Sequence, residues 1–249
     1  MKKIQELHLK IDGKRKVVKF GIPNTDFELK KMYALRYQVY STRGYINPLA
    51  FPDKLDIDQY DKDKKCIYFV AQIDGQIIGS VRIIKDKYLP IETECYEFDE
   101  PEAINKIPRK RRAEIGRLVV RPYSNTEYLP RNLIMLLLID SLVKYGTRHN
   151  IPAVYAFLKT KLLGKLEKLK VPIHLIKPYK QVYPKDGVLS GYFYKKEDKA
   201  VPAYFLTSEV KEVLDQMFSN ENIFEKGGRQ KLTLKENFYN KFLKVLKVI

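Results

Sequence analysis

Apolar and polar positions along this chain change period several times, and each change predicts a new element. Lys16 to Ile22 alternates loosely and predicts a first, peripheral strand. Pro23-Asn24-Thr25-Asp26 then forms a turn in which Thr25 or Asp26 can accept from the free amides of a following helix. The helix runs from about Phe27 to Tyr40, with Leu29, Met32, Tyr33 and Tyr40 inward. It sets Arg36 one turn before Tyr40, so both side chains look the same way. Cys66 to Ile73 and Ile77 to Lys85 are β-rich runs joined at Asp74-Gly75, a type I′ hairpin signal. Asp86 to Lys110 carries Pro90, Pro101 and Pro108 and predicts a long excursion with room for one helical turn.

A strand within Arg112–Pro122 follows, then a loop from Pro122 to Leu129 and an apolar helix from Pro130 to about His149. Ala153 to Leu158 reads as a buried parallel strand and Thr160 to Leu169 as the next helix, which makes a right-handed βαβ unit. A weak hairpin is expected over Ile173–Tyr183 and Val188–Tyr194, then a strand over Val201–Leu206. From Ser208 the pattern is helical in two pieces broken at Gly227-Gly228. In the second piece Leu234, Phe238, Phe242 and Leu246 recur among lysines, giving a basic amphipathic helix that could touch an anionic membrane peripherally or pack on the domain. The expected architecture is an α/β domain over residues 1–206, its mixed central sheet flanked by helices, with a helical C-terminal extension over 207–249.

Composition narrows the partners. With 45% of its 249 residues hydrophobic the chain can bury a real core. Its longest apolar run, Leu133 to Ile139, is too short to span a bilayer, and charges break the N-terminal stretch where a secretion signal needs an apolar run. The expected compartment is cytoplasmic. Cys66 and Cys95 have no metal-ligand spacing, so neither a disulfide framework nor a metal site is expected. A net charge of +17 calls for nucleic acid, an anionic membrane or an acidic protein. A basic nucleic-acid-binding module is thus the rival from another class, but the chain shows no recognition helix, RNP-type strand or zinc ligands. No nucleic acid is expected as a partner.

The chemistry concentrates in Arg112-Ala-Glu-Ile-Gly-Arg-Leu-Val-Val-Arg-Pro122. Moving an acyl group from a thioester to an amine needs a base for the amine, an oxyanion donor and a slot for the acyl chain. Glu114 is the candidate base. Arg117, three residues on, faces the other way in a regular strand and the same way past a bulge, and bulges gather beside active sites. The plainer reading of Glu114 is an ion pair with Arg112.

Four elements carry a resemblance. Arg36 is followed four residues later by Tyr40; an acidic-aromatic-acidic stretch runs through Asp58-Gln-Tyr60-Asp61; Gly79-Ser-Val-Arg82 closes a hairpin; and Glu114-Ile-Gly-Arg117 lies on the next strand. In order and approximate spacing, from residue 30 to 121, these resemble the acyl-homoserine-lactone synthases and their relatives, the N-acyl amino acid synthases. The resemblance implies a GNAT-like fold and N-acyltransferase activity. It also implies that Arg36, Tyr40, Asp58, Asp61 and Arg82 surround the amine acceptor, with Glu114 and Arg117 at the catalytic centre. Ala113 and Gly116 depart from the lactone synthases, which have Trp and Ser there. Arg43-Gly-Tyr-Ile46 and Ala200-Val-Pro-Ala-Tyr204 look more like the N-acyl amino acid synthases.

The loop from Arg121 to Arg131 has no glycine with which to cradle a diphosphate. That favours acyl-phosphopantetheine on an acyl carrier protein over acyl-CoA as donor, and no bound cofactor is expected. Val119, Val120 and Arg131 would meet the donor, its arm held between Leu118–Val120 and Tyr155–Leu158. Arg109–Arg112 and Lys159–Lys170 would offer an acidic carrier a basic surface. The expected acceptor is an amino acid or related small amine. S-adenosylmethionine, as in a lactone synthase, comes second, and an acyl-CoA-dependent acetyltransferase third.

Overall fold

The computed structural model describes residues 1–11, 14–121, 130–228 and 230–236. The chain opens with an antiparallel pair, β1 (Lys2–Ile11) and β2 (Lys14–Ile22). In β1, Gln5, Leu7 and Leu9 point into the core while Glu6, His8 and Lys10 are more exposed, so the strand expected first is the second. Next comes α1 (Asp26–Thr42), where the Thr25 side chain accepts from the amide of Glu28. After the single turn α2 (Gln59–Lys62), β3 (Cys66–Ile73) and β4 (Gln76–Ile84) form the predicted hairpin. Asp74 and Gly75 have φ of 48° and 73°, the two positive values a type I′ turn requires.

The excursion contains β5 (Tyr96–Phe98) and the short α3 (Glu102–Asn105). Then come β6 (Arg112–Val120), α4 (Arg131–Arg148), β7 (Ala153–Lys159) and α5 (Thr160–Lys168). The hairpin expected next is absent. β8 (His174–Leu175) and β9 (Tyr179–Gln181) pair with different strands, and residues 190–194 form α6 (Ser190–Tyr194). Pro172, Pro178 and Pro184 interrupt the run and cannot donate to one continuous ladder. β10 (Ala200–Leu206) leads into α7 (Thr207–Phe218), which packs on α4.

The segment after α7 then turns back to the sheet. β11 (Phe224–Lys226) and β12 (Lys231–Leu234) pair with each other, and β12 runs parallel to β1. Leu234, expected on a helix, is a buried strand residue, while Phe238, Phe242 and Leu246 lie outside the described residues.

Among the described residues ten strands form one sheet in the order β11-β12-β1-β2-β3-β4-β6-β7-β10-β8, and β5 pairs separately with β9. One face packs on α4, whose residues from Leu133 to Ile139 are all buried. The other face packs on α1 and on the segments around Ile91 and Tyr192. This mixed α/β arrangement is the one the pattern predicted. No described helix is long and apolar enough to cross a membrane.

Two features position the site. The parallel pairing of β6 and β7 runs from Arg112↔Ala153 to Ile115↔Ala156 and then stops. Past that point β6 stays with β4 and β7 with β10, so the two strands part and leave a notch. The notch starts beyond Ala156, two residues later on β7 than the sequence suggested. Second, Ser80↔Val119 and Arg82↔Gly116 leave one residue of β4 opposite two of β6, a bulge at Arg117, whose φ is 56°.

Candidate active site

The bulge and the α1 helix gather the charged residues that the sequence spread over 82 positions, from Arg36 to Arg117. A regular β6 would turn Glu114 and Arg117 to opposite faces, whereas the bulge brings Arg117 back toward α1. There it joins Arg36 and Arg82 and three aspartates in an alternating ring. Arg36 donates through Nε to Asp56 at 3.1 Å and through a terminal nitrogen to Asp61 at 3.0 Å. Arg82 donates to Asp58 and Asp61, each at 2.8 Å. Arg117 donates through Nε to Asp56 at 2.8 Å and through a terminal nitrogen to Asp58 at 3.3 Å. Asp58 also caps α2, exchanging hydrogen bonds with Asp61 in a capping box. Tyr68 donates to Asp61 at 2.9 Å, and Tyr33 donates in turn to Tyr68.

Burial disfavours the charged form of Asp56, but the guanidinium groups of Arg117 and Arg36 outweigh it and hold the carboxyl below its ordinary value. Asp58 and Asp61 are lowered likewise, burial being overcome by Arg82 for the first and by Arg36 and Arg82 for the second. Ring members are close to fully buried, except that Asp58 leaves 25% of its side chain to solvent. Asp56 was not among the expected site residues. Its place in Leu55-Asp-Ile-Asp58 was the available signal, since two carboxylates two residues apart can serve one cluster of arginines.

The arginines are thus engaged with the aspartates rather than free for a substrate. One donor differs: Arg82 Nε is buried without a hydrogen-bond partner. A Cβ built on Gly116 would stand 3.7 Å from that nitrogen, an ordinary contact. Gly116 is where the lactone-synthase pattern has Ser. Gly116→Ser is therefore expected to fold and to gain about 0.5–1.5 kcal/mol from the new bond to Arg82; a urea midpoint at or below that of the native protein contradicts this.

Glu114 stands two residues before Gly116 on the same strand. It is fully buried, and its Oε2 accepts from the amide of Ile91 at 2.7 Å. Burial raises its carboxyl to about 8, against the opposing pull of the Ile91 amide and of Arg82. The plainer reading, a pair with Arg112, does not hold, because Arg112 pairs with Glu100 and donates to the carbonyl of Ile107. Tyr40 lies under Arg117, 5.3 Å from its ring centroid to the guanidinium carbon, and stacks on Tyr192.

On the donor side, Val119 is buried beside the notch, and Arg131 at the start of α4 reaches the carbonyl of Val120 at 3.4 Å. The glycine-free loop between them lies outside the described residues. Two expected members of the carrier surface do not belong to it. Arg112 is buried against Glu100, and Lys159 is buried with its ammonium on the carbonyl of Tyr192.

Comparisons with known proteins place this geometry. Residues 31–158, a little over half of the chain, match the family of the N-acyl amino acid synthase FeeM. No curated protein sequence matches. The AHL synthase LasI is similar in structure, with a TM-score of 0.56 at 19% identity over 80% of this chain and 94% of that one. FeeM itself, from uncultured soil microbes, gives 0.55 at 12% identity, with 81% and 97% covered. BjaI, a CoA-dependent acyl-homoserine lactone synthase solved with SAM and isopentyl-CoA, gives 0.54 at 15%, with 87% and 91% covered. Identities this low speak for the fold alone, which is GNAT-like.

Proposed function

Because the chain belongs to the N-acyl amino acid synthase FeeM family and is an acyltransferase, we propose that it moves a fatty acyl group from acyl carrier protein to the amino group of an amino acid or related small amine. The observation that carries this reading is Glu114, a buried carboxyl raised to about 8 and set on β6 just before the strands part. Such a group ionises near working pH and is a competent general base.

In the proposed step the Glu114 carboxylate removes a proton from the acceptor's ammonium, directly or through one water. The neutral amine attacks the thioester carbonyl, and the oxyanion is met by backbone amides near Val119. The carbon–sulfur bond then breaks and the thiolate leaves with the proton that Glu114 holds, while the nitrogen gives its second proton to solvent as the amide forms. Val119, Val120 and Arg131 at the start of α4 flank the pantetheine arm. Arg82 Nε and the open edge of Asp58 are the ring's groups toward the acceptor: the first takes a carboxylate oxygen, the second an ammonium. Arg36 and Arg117, with Tyr40 and Asp61, shape that side without reaching the substrate.

The reading is tested by thiol release from purified protein given acyl carrier protein or acyl-CoA of one chain length, with and without a mixture of amino acids. Release that depends on both the carrier-bound donor and an amino acid is the expected result. Release that requires S-adenosylmethionine instead would assign a lactone synthase, and no release with any acceptor would refute N-acyl transfer.

A further inference from the structure

An open cavity of about 400 Å³ lies where α6 meets Arg43 and Gly44, just past the end of α1. Its walls are built. Tyr192 donates its amide to the carbonyl of Tyr45 at 3.0 Å, and Asn47 donates to the carbonyl of Val188 at 3.2 Å. Gly191 lies so close to Gly44 that a Cβ there would be 2.0 Å from the Gly44 carbonyl oxygen.

The lining is Arg43, Lys185, Lys195, Ser190 and Tyr194 with the two glycines, and no carboxylate lines the cavity among the described residues. Cations crowd the adjoining wall as well. Arg43, Lys159 and Lys195 stand 5.9, 5.2 and 5.8 Å from the ring centroid of Tyr45. Two acids stand near this wall: Glu197, which acts on Lys159, and Asp198, whose oxygens accept from Tyr45, from Thr160 Oγ1 and from the amide of Lys161. Four cations, Arg43, Lys159, Lys185 and Lys195, thus outnumber these acids and leave a net positive field. Lys195 finds only a neutral acceptor, the carbonyl of Arg43, at 3.3 Å.

We infer that this cavity is a binding site for a phosphate group. Three cations and a serine hydroxyl match a dianion with several acceptor oxygens better than a single carboxylate. The volume is at the lower end for a small-ligand site. The donor's phosphates are the preferred source, an assignment that rests on the acyl-transfer reading.

Calorimetric titration of the intact protein with inorganic phosphate, 3′,5′-ADP, 4′-phosphopantetheine and acetate tests the inference. The result expected is 1:1 binding of at least one phosphate compound, weakening with salt and unmatched by acetate. Lys185→Gln and Lys195→Gln should each weaken it about tenfold or more. Lys185 is an exposed residue without structural bonds among those described, so its variant remains informative even if Lys195→Gln unfolds. Tightest binding of 3′,5′-ADP names the nucleotide end of CoA, and of 4′-phosphopantetheine the arm shared with carrier protein. Equal binding of all three phosphates names free phosphate. No binding at millimolar ligand, acetate binding as tight as phosphate, or unchanged affinity in Lys185→Gln overturns the site. Phosphate binding requires no turnover, so the site can fail while acyl transfer stands, and the reverse.

Discussion

Glu114→Gln lowers the acyl-transfer rate by about 10²–10⁴-fold while leaving the protein folded, if Glu114 is the general base. The side chains are nearly the same size, and the glutamine oxygen can still accept from the Ile91 amide, so the loss is chemical. The native rate should climb with pH and level off near the carboxyl's own value of about 8. That rise should vanish in the variant. Stability supplies a second readout with a fixed sign. The folded carboxyl keeps its proton from its ordinary 4.5 up to about 8, where the unfolded chain has lost it. The folded state binds more protons in that window, so native stability falls as pH rises through it, by roughly 1.4 kcal/mol for each pH unit crossed. The Gln variant escapes this penalty. Its unfolding temperature should match the native one near pH 5 and exceed it at pH 9. A variant that is inactive but no more stable at pH 9 would place the carboxyl's ionisation elsewhere.

Asp56→Ala is the second large effect, and it acts on stability. Asp56 is fully buried and bridges two arginines, Arg36 at 3.1 Å and Arg117 at 2.8 Å. Removing it leaves two buried guanidinium groups facing a gap, at a cost of about 3–5 kcal/mol. Asp58→Ala should cost less, because water reaches 25% of that side chain and can stand in for the carboxylate. Chemical denaturation of both variants at neutral pH checks the ranking; a loss for Asp58→Ala as large as that for Asp56→Ala contradicts it. The ring also sets the acid limit. Folded Asp56, Asp58 and Asp61 ionise below their ordinary value of 3.8. Their contribution is complete above that value and is lost as pH falls through the folded values, so acid unfolding should begin below about pH 4.

The ring shows what a single sequence can and cannot reveal. Arg36 and Tyr40 follow from helical spacing, and the Asp74-Gly75 turn from its residue types, because both depend on neighbours in the chain. Arg117 was legible only conditionally. Its direction depends on a bulge created by register against β4, and nothing within Arg112–Val120 marks that register. Asp56 was missed for a related reason: in Leu-Asp-Ile-Asp the alternation suggests a solvated edge, and only the arginines brought by α1 and β6 make it a buried position. β1 alternates plainly at Gln5, Leu7 and Leu9, so its signal was present in the residues. The short strands β8, β9, β11 and β12 carry too few residues for a period, and tertiary partners decide their state.

Lys159 gives the opposite lesson. A lysine in a basic run reads as surface, yet its position on β7 turns it inward over Tyr45 and Tyr192. The period-2 geometry of the strand overrides the charge. Sequence similarity for this site lies in the order of a few polar residues, and the matching region, 31–158, holds the whole ring, Glu114 and the start of the donor helix. The cavity proposed for phosphate draws most of its lining from residues 185–195, beyond that region.

Whether Glu114 drives transfer of a fatty acyl group to an amino acid is decided by mass spectrometry of lipid extracts from cells expressing the native chain or Glu114→Gln. The prediction is an N-acyl amino acid present with the native chain and absent with the variant. An equal amount with both, or no new acylated amine from well-folded native protein supplied with acyl carrier protein, would contradict it.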